Sequence, residues 1–216
     1  MNRIRSSLSV SVRRHFIDNF FFGQAEVFKK AGKIIDIGGK KKNKRGLFDI
    51  SDYASDVTYV NIDKTTEPDI VSDAASIPLP DNSFSAVILG EVLEHVPEPL
   101  SVLREARRLL IPEGKIVATV PFMVGVHGDP HDYGRYTKTF FEKAARDLGF
   151  SKIEISEQGT MFAVIALMVQ HLFRAKNISW RPIQTPLVKF LMWLDQKTTT
   201  PILCAWTTGY GIVLTK

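Results

Sequence analysis

Four acidic positions and one pair of glycines are spaced along the first half of the chain as a nucleoside-bearing ligand would need them. Asp36-Ile37-Gly38-Gly39 closes one apolar run, and Asp63 ends the next, 27 positions on. Asp73-Ala74 follows a third run, and Gly90-Glu91 a fourth. Glycines let a ligand approach the backbone, because no Cβ intervenes and positive φ costs little. A carboxylate at Asp63 accepts both hydroxyl protons of a ribose, and Asp73-Ala74 offers a carboxylate and a backbone N–H to an adenine edge. Asp36 would repel a pyrophosphate but suits a ligand carrying ammonium and sulfonium charge. The turn Gly38-Gly39-Lys40-Lys41-Lys42-Asn43 has neither the G-x-G-x-x-G of a dinucleotide site nor the Gly-Lys-Ser/Thr of a P-loop. A nicotinamide oxidoreductase is disfavoured on that ground. S-adenosyl-L-methionine carries ammonium, sulfonium, ribose and adenine together, so Asp36, Gly38, Gly39, Asp63, Asp73, Ala74, Gly90 and Glu91 are the expected cofactor-binding set.

A second group of residues suits proton transfer. Of five histidines, His95, His127 and His131 fall just beyond expected strand ends. Histidine is the natural base near neutral pH, and a hydroxyl acceptor profits from a base within about 2.6–3.2 Å of its proton. These three are the candidate catalytic residues. The loop holding His127 and His131 also carries Asp129, Asp132, Tyr133, Arg135 and Tyr136. Asp132, Tyr133, Arg135 and Tyr136 are the candidate substrate-binding residues, Arg135 for a carboxylate or phosphate and the tyrosines for a sugar or ring. An internally hydrogen-bonded loop is the plainer reading. His127, Asp129, His131 and Asp132 have no recognised metal-ligand spacing around Pro130, and no metal is expected.

The elements that must position these groups alternate short apolar runs with helical patterns, as in a parallel sheet built from βαβ units. Strands are expected at Lys33–Ile37, Val57–Ile62, Asp69–Val71, Phe84–Leu89, Lys115–Pro121, Lys152–Ile155 and Gly211–Thr215. A helix is expected over Val96–Leu110, with Leu100, Leu103, Arg107 and Leu110 in register and a stop at Ile111-Pro112-Glu113-Gly114. Another spans Thr137–Leu148, with Thr137 as N-cap, an apolar stripe of Phe140, Phe141, Ala144 and Leu148, and Gly149 as the stop. Between the last two strands, Met161–Val169 and Pro186–Leu194 are apolar runs shorter than the ~18–20 residues of a membrane span. They are read as helices packed on the sheet, or as a face that covers the acceptor or meets a membrane.

Ile34-Ile-Asp-Ile-Gly-Gly39, Tyr59-Val-Asn-Ile-Asp63, the stretch from Asp73 to Leu89, Gly90-Glu-Val-Leu-Glu-His-Val96 and Leu110-Ile-Pro-Glu-Gly-Lys115 follow one another. This ordered set resembles the motifs of class I S-adenosylmethionine-dependent methyltransferases, in the group called type 11 methyltransferase domains. The resemblance covers about residues 30–155. It implies an α/β, Rossmann-like, seven-stranded, mostly parallel sheet with helices on both faces and the last strand antiparallel; the apolar runs add a helical insertion at about 160–205 before that strand. The organisation expected is a basic helical segment over 1–30 and a methyltransferase domain over 31–216. The segment from His127 to Thr137 is similar to one in polysaccharide- and glycolipid-associated members. Lys40 stands where the family has its second glycine, which leaves open a solvated loop, an anionic-acceptor site or a cofactor site too altered to work.

Charge divides the chain unevenly. The total is +5, but residues 1–45 carry +9, residues 46–150 carry −8 and the remainder +4. The acidic middle invites a cation and the basic ends an anionic partner. A pI near 9.3 raises nucleic acid, yet the basic residues lack an aromatic stacking platform, and none is expected to bind. The single cysteine, Cys204, and the absence of a signal-like N-terminus favour the cytoplasm, and the basic N-terminus with the apolar insertion at 161–194 suggests peripheral contact at the inner membrane surface. The leading expectation is O-methylation of a glycan, glycolipid or polyprenyl-linked intermediate. The alternatives are methylation of a small isoprenoid or soluble metabolite, and a non-catalytic scaffold.

Overall fold

The computed structural model describes residues 11–42, 44–128, 130–175 and 181–216. Seven strands form one sheet: β1 (Ile34–Ile37), β2 (Val57–Asn61), β3 (Ile70–Val71), β4 (Phe84–Gly90), β5 (Leu110–Pro121), β6 (Lys152–Glu157) and β7 (Gly209–Thr215). Their spatial order is β3-β2-β1-β4-β5-β7-β6. All pairs are parallel except those of β7, which runs antiparallel to both β5 and β6. The winding reverses between β1 and β4, so a crevice opens beyond the carboxyl ends of these neighbours, where open α/β sheets take their ligands. The strand-end residues are therefore gathered on one edge, as the sequence implied.

Strands buried on both faces should be uniformly apolar, and β4 is: Ala86, Val87, Ile88 and Leu89 are all buried. Helices α3 (Pro99–Leu109) and α4 (Lys138–Leu148) cover one face, packing Val102, Leu103, Ala106, Leu109, Phe141 and Ala144 against Ile35, Val87 and Ile116. On the other face lie α1 (Val12–Gly23) and α2 (Ala25–Lys30), with Ile17, Phe21 and Phe28 against Ile34, Ala86 and Ile88. Thus α1, held at its start by Ser11 accepting from the Arg14 N–H, shares the sheet's core. The insertion comprises α5 (Met161–Ala175), α6 (Arg181–Lys197) and α7 (Pro201–Cys204). Its buried residues Ala163, Ala166, Leu167 and Val188 make a third cluster with Val12, to which Phe16 and Val124 are added. Among the described residues, no helix is long and apolar enough to cross a membrane.

Several expectations are corrected. The helix after β4 begins at Pro99, not Val96, because Leu93–His95 forms a separate 3-10 turn. Its buried stripe is Pro99, Val102, Leu103, Ala106 and Leu109, whereas Leu100 is exposed. Ile111-Pro112-Glu113-Gly114 is not a stop between elements but a bulge inside β5: Leu110 pairs with Phe84 and Lys115 with Ala86. Glu113 takes a left-handed φ of 63° there. Thr137 sits at the N-cap of α4 with extended backbone, yet its side chain makes no capping bond; Gly149 closes the helix with φ 73°. Arg3 and Arg5 of the basic N-terminus, together with Asn43 and Asp129, lie outside the described residues.

Candidate functional site

The first turn is built around its own carboxylate. Gly38 has φ 83°, and a Cβ on Gly39 would fall 2.1 Å from Asp36 Oδ2. The glycine is required because the Asp36 side chain folds against it. Among the described residues, nothing donates a hydrogen bond to this half-buried carboxylate. Desolvation, only partly offset by the Lys44 charge, pushes its pKa up to about 7. A cationic ligand here would gain the attraction that the protein does not supply.

Asp63 and Asp73 are exposed and locally anchored. Asp63 Oδ1 accepts from the Thr65 N–H and hydroxyl at 2.9 and 2.7 Å; those bonds hold its pKa below the ordinary value. Asp73 Oδ1 accepts from the Ala75 N–H at 2.8 Å. Each is thus a turn cap with its second oxygen directed elsewhere. The lysine tract is tied down: Lys41 pairs with Asp69, Lys42 with Glu67 and Lys44 with Asp49. Lys40, Lys42 and Arg45 nonetheless line a cavity of about 340 Å³ with Thr65, Thr66 and Glu67.

On the other side of β4, Glu91 is already engaged. It holds a left-handed φ of 57°, unusual for a residue with a Cβ. Its carboxylate is gripped by Arg13 of α1, with Nη2 to Oε1 at 2.6 Å and Nε to Oε2 at 3.1 Å. Arg13 also donates to the Val120 carbonyl at 2.8 Å and to Gln158, so one guanidinium ties together the ends of β4, β5 and β6. Sequence reasoning missed Arg13, which lies 78 positions from its partner and has no local signature. A Cβ on Gly90 would make only ordinary contact with the Phe21 ring, at 3.5 Å.

The turn Leu93–His95 and the loop after β5 are stitched to each other. The Tyr133 N–H donates to the Glu94 carbonyl at 2.7 Å, and the Tyr136 hydroxyl to the Leu93 carbonyl at 3.3 Å. His95 Nδ1 donates to the His131 carbonyl at 2.6 Å, and the rings of His95 and His127 meet edge-on at 5.2 Å. Asp132 and Arg135 are committed to each other through a bidentate pair; that bonding depresses the Asp132 pKa. Asp132 also accepts from the His127 N–H. Tyr136 stacks on Phe140 at 4.6 Å, and burial raises its pKa. Of the four expected substrate contacts only Tyr133 is exposed, while His131 reaches His95 through its backbone and its own ring lies 5.6 Å from Tyr133. Glu94, quoted in the sequence only as part of a motif, is wholly buried. Desolvation, followed by the Glu91 charge, pushes it up to about 8.

Comparison with known proteins is consistent with this geometry. Residues 45–118 match the family described as Methyltransferase domain, the match beginning beyond the lysine tract. A stretch within the chain thus matches a methyltransferase domain. A demethylmenaquinone methyltransferase of Anoxybacillus flavithermus is 38% identical over 74 residues, 33% of this chain and 31% of that protein. One from Listeria monocytogenes serotype 4a is 34% identical over 101 residues, 43% of each. The chain thus spans less than half the length of these curated relatives. A SAM-dependent methyltransferase from Archaeoglobus fulgidus shares the fold, with a TM-score of 0.61 at 16% identity over 94% of both chains.

The candidate residues fit S-adenosylmethionine chemically. An unpartnered, desolvated Asp36 at a glycine turn suits the positive end of S-adenosylmethionine, and the free oxygen of Asp63 suits its ribose. Asp73 and Ala74 remain open for adenine. Glu91 is the exception, its carboxylate being spent on Arg13.

Proposed function

We propose that this chain transfers the methyl group of S-adenosylmethionine to a lipid-soluble acceptor of the isoprenoid-quinone kind. The observation that carries the reading is a juxtaposition. Open carboxylates stand on the β1–β2 side of the crevice, and on the β5 side Val124 joins the loop after β5 to the apolar insertion. That insertion leaves Met168, Leu172, Phe190 and Trp193 exposed at helical spacing. When bound, S-adenosylmethionine supplies a methyl carbon already activated by sulfonium, so positioning and exclusion of water account for most of the rate. Asp36 holds the cofactor's positively charged end and Asp63 its ribose. The acceptor side is walled by the stitched turn and loop, whose basic atoms include ring nitrogens of His95, His127 and His131. The relatives named for demethylmenaquinone support this acceptor class.

The second reading, a glycan or polyprenyl-linked glycolipid, draws on the basic cavity at Lys40, Lys42 and Arg45. Incubation with methyl-labelled S-adenosylmethionine and a whole lipid extract separates the two. Label is expected in the quinone fraction and lost in D36A; label in sugar-bearing lipid supports the second reading. A folded chain that binds neither S-adenosylmethionine nor S-adenosylhomocysteine in calorimetry would sink both and leave a scaffold.

A further inference from the structure

A carboxylate removed from water needs a partner, because burying the charge alone is costly. Glu94 is 0% exposed, and among the described residues neither of its oxygens has a hydrogen-bond partner. Of the nearby guanidinium groups, Arg13 is bonded to Glu91, and Arg135 to Asp132 through its Nη atoms, its Nε having no partner among the described residues. What faces Glu94 is imidazole: Oε1 lies 3.6 Å from His95 Nε2, too far for a hydrogen bond. One ligand atom from each of Glu94, His95 and His127 falls within 4.8 Å of the others.

The histidines are also oriented alike. A carbonyl only accepts, so the contacts of His95 Nδ1 with the His131 carbonyl at 2.6 Å and of His127 Nδ1 with the Gly125 carbonyl at 3.1 Å place the ring proton on Nδ1. Each neutral ring then presents its Nε2 lone pair. Metal-bound histidines are fixed in this way, by donation from the second nitrogen to a carbonyl or carboxylate. Around a tetrahedral ion with bonds of roughly 2.0–2.1 Å, ligand atoms lie about 3.3 Å apart. The Glu94–His95 separation is close to that edge already, and exposed His127 has room to close the third corner.

We propose that Glu94, His95 and His127 bind a divalent transition-metal ion of the Zn²⁺ class, with the fourth position open on the side of His127. Two imidazoles and one carboxylate suit such an ion better than Mg²⁺ or Ca²⁺, which take oxygen ligands. Metal binding stands apart from the methyl-transfer reading; only an acceptor oxygen at the fourth position rests on it.

The test uses the full chain, treated with a chelator and then titrated with Zn²⁺ by calorimetry, with Co²⁺ as an absorbing probe. One equivalent is expected to bind, and Co²⁺ to give the intense visible bands of a four-coordinate site. E94Q and H127A should each weaken binding about tenfold or more. H131A should keep it, since His131 contributes only its carbonyl. H127A changes an exposed side chain, so its loss of binding cannot be ascribed to unfolding, and circular dichroism checks E94Q. Failure of the folded wild-type chain to bind either ion, or binding untouched by both variants, overturns the site. Titration with S-adenosylhomocysteine in the same sample reports on the cofactor reading separately.

Discussion

The two sides of the crevice are built on opposite plans. On the β1–β2 side each candidate carboxylate is positioned by its own neighbours: Asp63 caps the turn two residues on, Asp73 does the same, and Asp36 folds onto Gly39. On the β4–β5 side positioning is remote, with Arg13 reaching Glu91, and His95 and Tyr133 linking a turn to a loop some 40 residues away. Local capping leaves polar atoms open to a ligand. Remote cross-linking spends them on each other, and Glu94 is left without a partner among them.

The remote side should break hardest. R13A leaves a mostly buried Glu91 carboxylate unpaired, and loss of one partner of such a pair costs about 3–5 kcal/mol; urea unfolding measures it. The pH dependence compares the two sides directly. Asp36 and Glu94 rise from 3.8 and 4.5 to about 7 and about 8. The native chain therefore keeps protons that the unfolded chain has released. Their stabilisation is full below about pH 4 and is lost as pH rises through about 7 and 8, each group contributing a slope of up to about 1.4 kcal/mol for every tenfold fall in proton concentration. D36N and E94Q should each flatten the fall in stability followed by thermal melts between these limits.

Cofactor affinity sharpens the contrast. D36N should lower affinity for S-adenosylmethionine by about 10–100-fold in calorimetry, the worth of a charge-assisted contact, without lowering stability. An equal loss of stability would show that Asp36 is structural. Smallest of all, F190S and W193S should change stability by no more than about 0.5 kcal/mol, because both side chains are exposed. Methylation of a lipid acceptor should fall in both while S-adenosylhomocysteine binding holds.

The same division explains how much of the molecule is legible in the sequence alone. The strands and the carboxylates at their ends are legible because period, glycine and strand-end position are local signals, whereas the order of the strands in the sheet is not. The bulge at Ile111–Gly114 reads as a stop because proline and glycine punctuate chains, and only the pairing of Leu110 with Phe84 shows otherwise. Arg107 reads as part of an apolar stripe, yet it donates to the Gly149 carbonyl at 3.0 Å. Arg135 reads as a hand extended to a substrate, but Asp132 three residues back neutralises it. Nothing within ten residues of Arg13 points to Glu91. Charge pairs across the sheet are written in tertiary contacts, which one sequence does not spell out.

The antiparallel pair β6–β7 has a further consequence. All three helices of the insertion leave the sheet at the end of β6 and return at the start of β7, with the ladder from Lys152–Thr215 to Glu157–Tyr210 closed beneath them. The entropy of closing such a connection grows only with the logarithm of its length, about 0.6 kcal/mol for each doubling. The insertion is therefore an exchangeable part: a longer, shorter or unrelated one can be carried by the same hairpin, leaving Asp36 and Asp63 where they are. Change of substrate in this architecture is a matter of loop replacement, not of refolding.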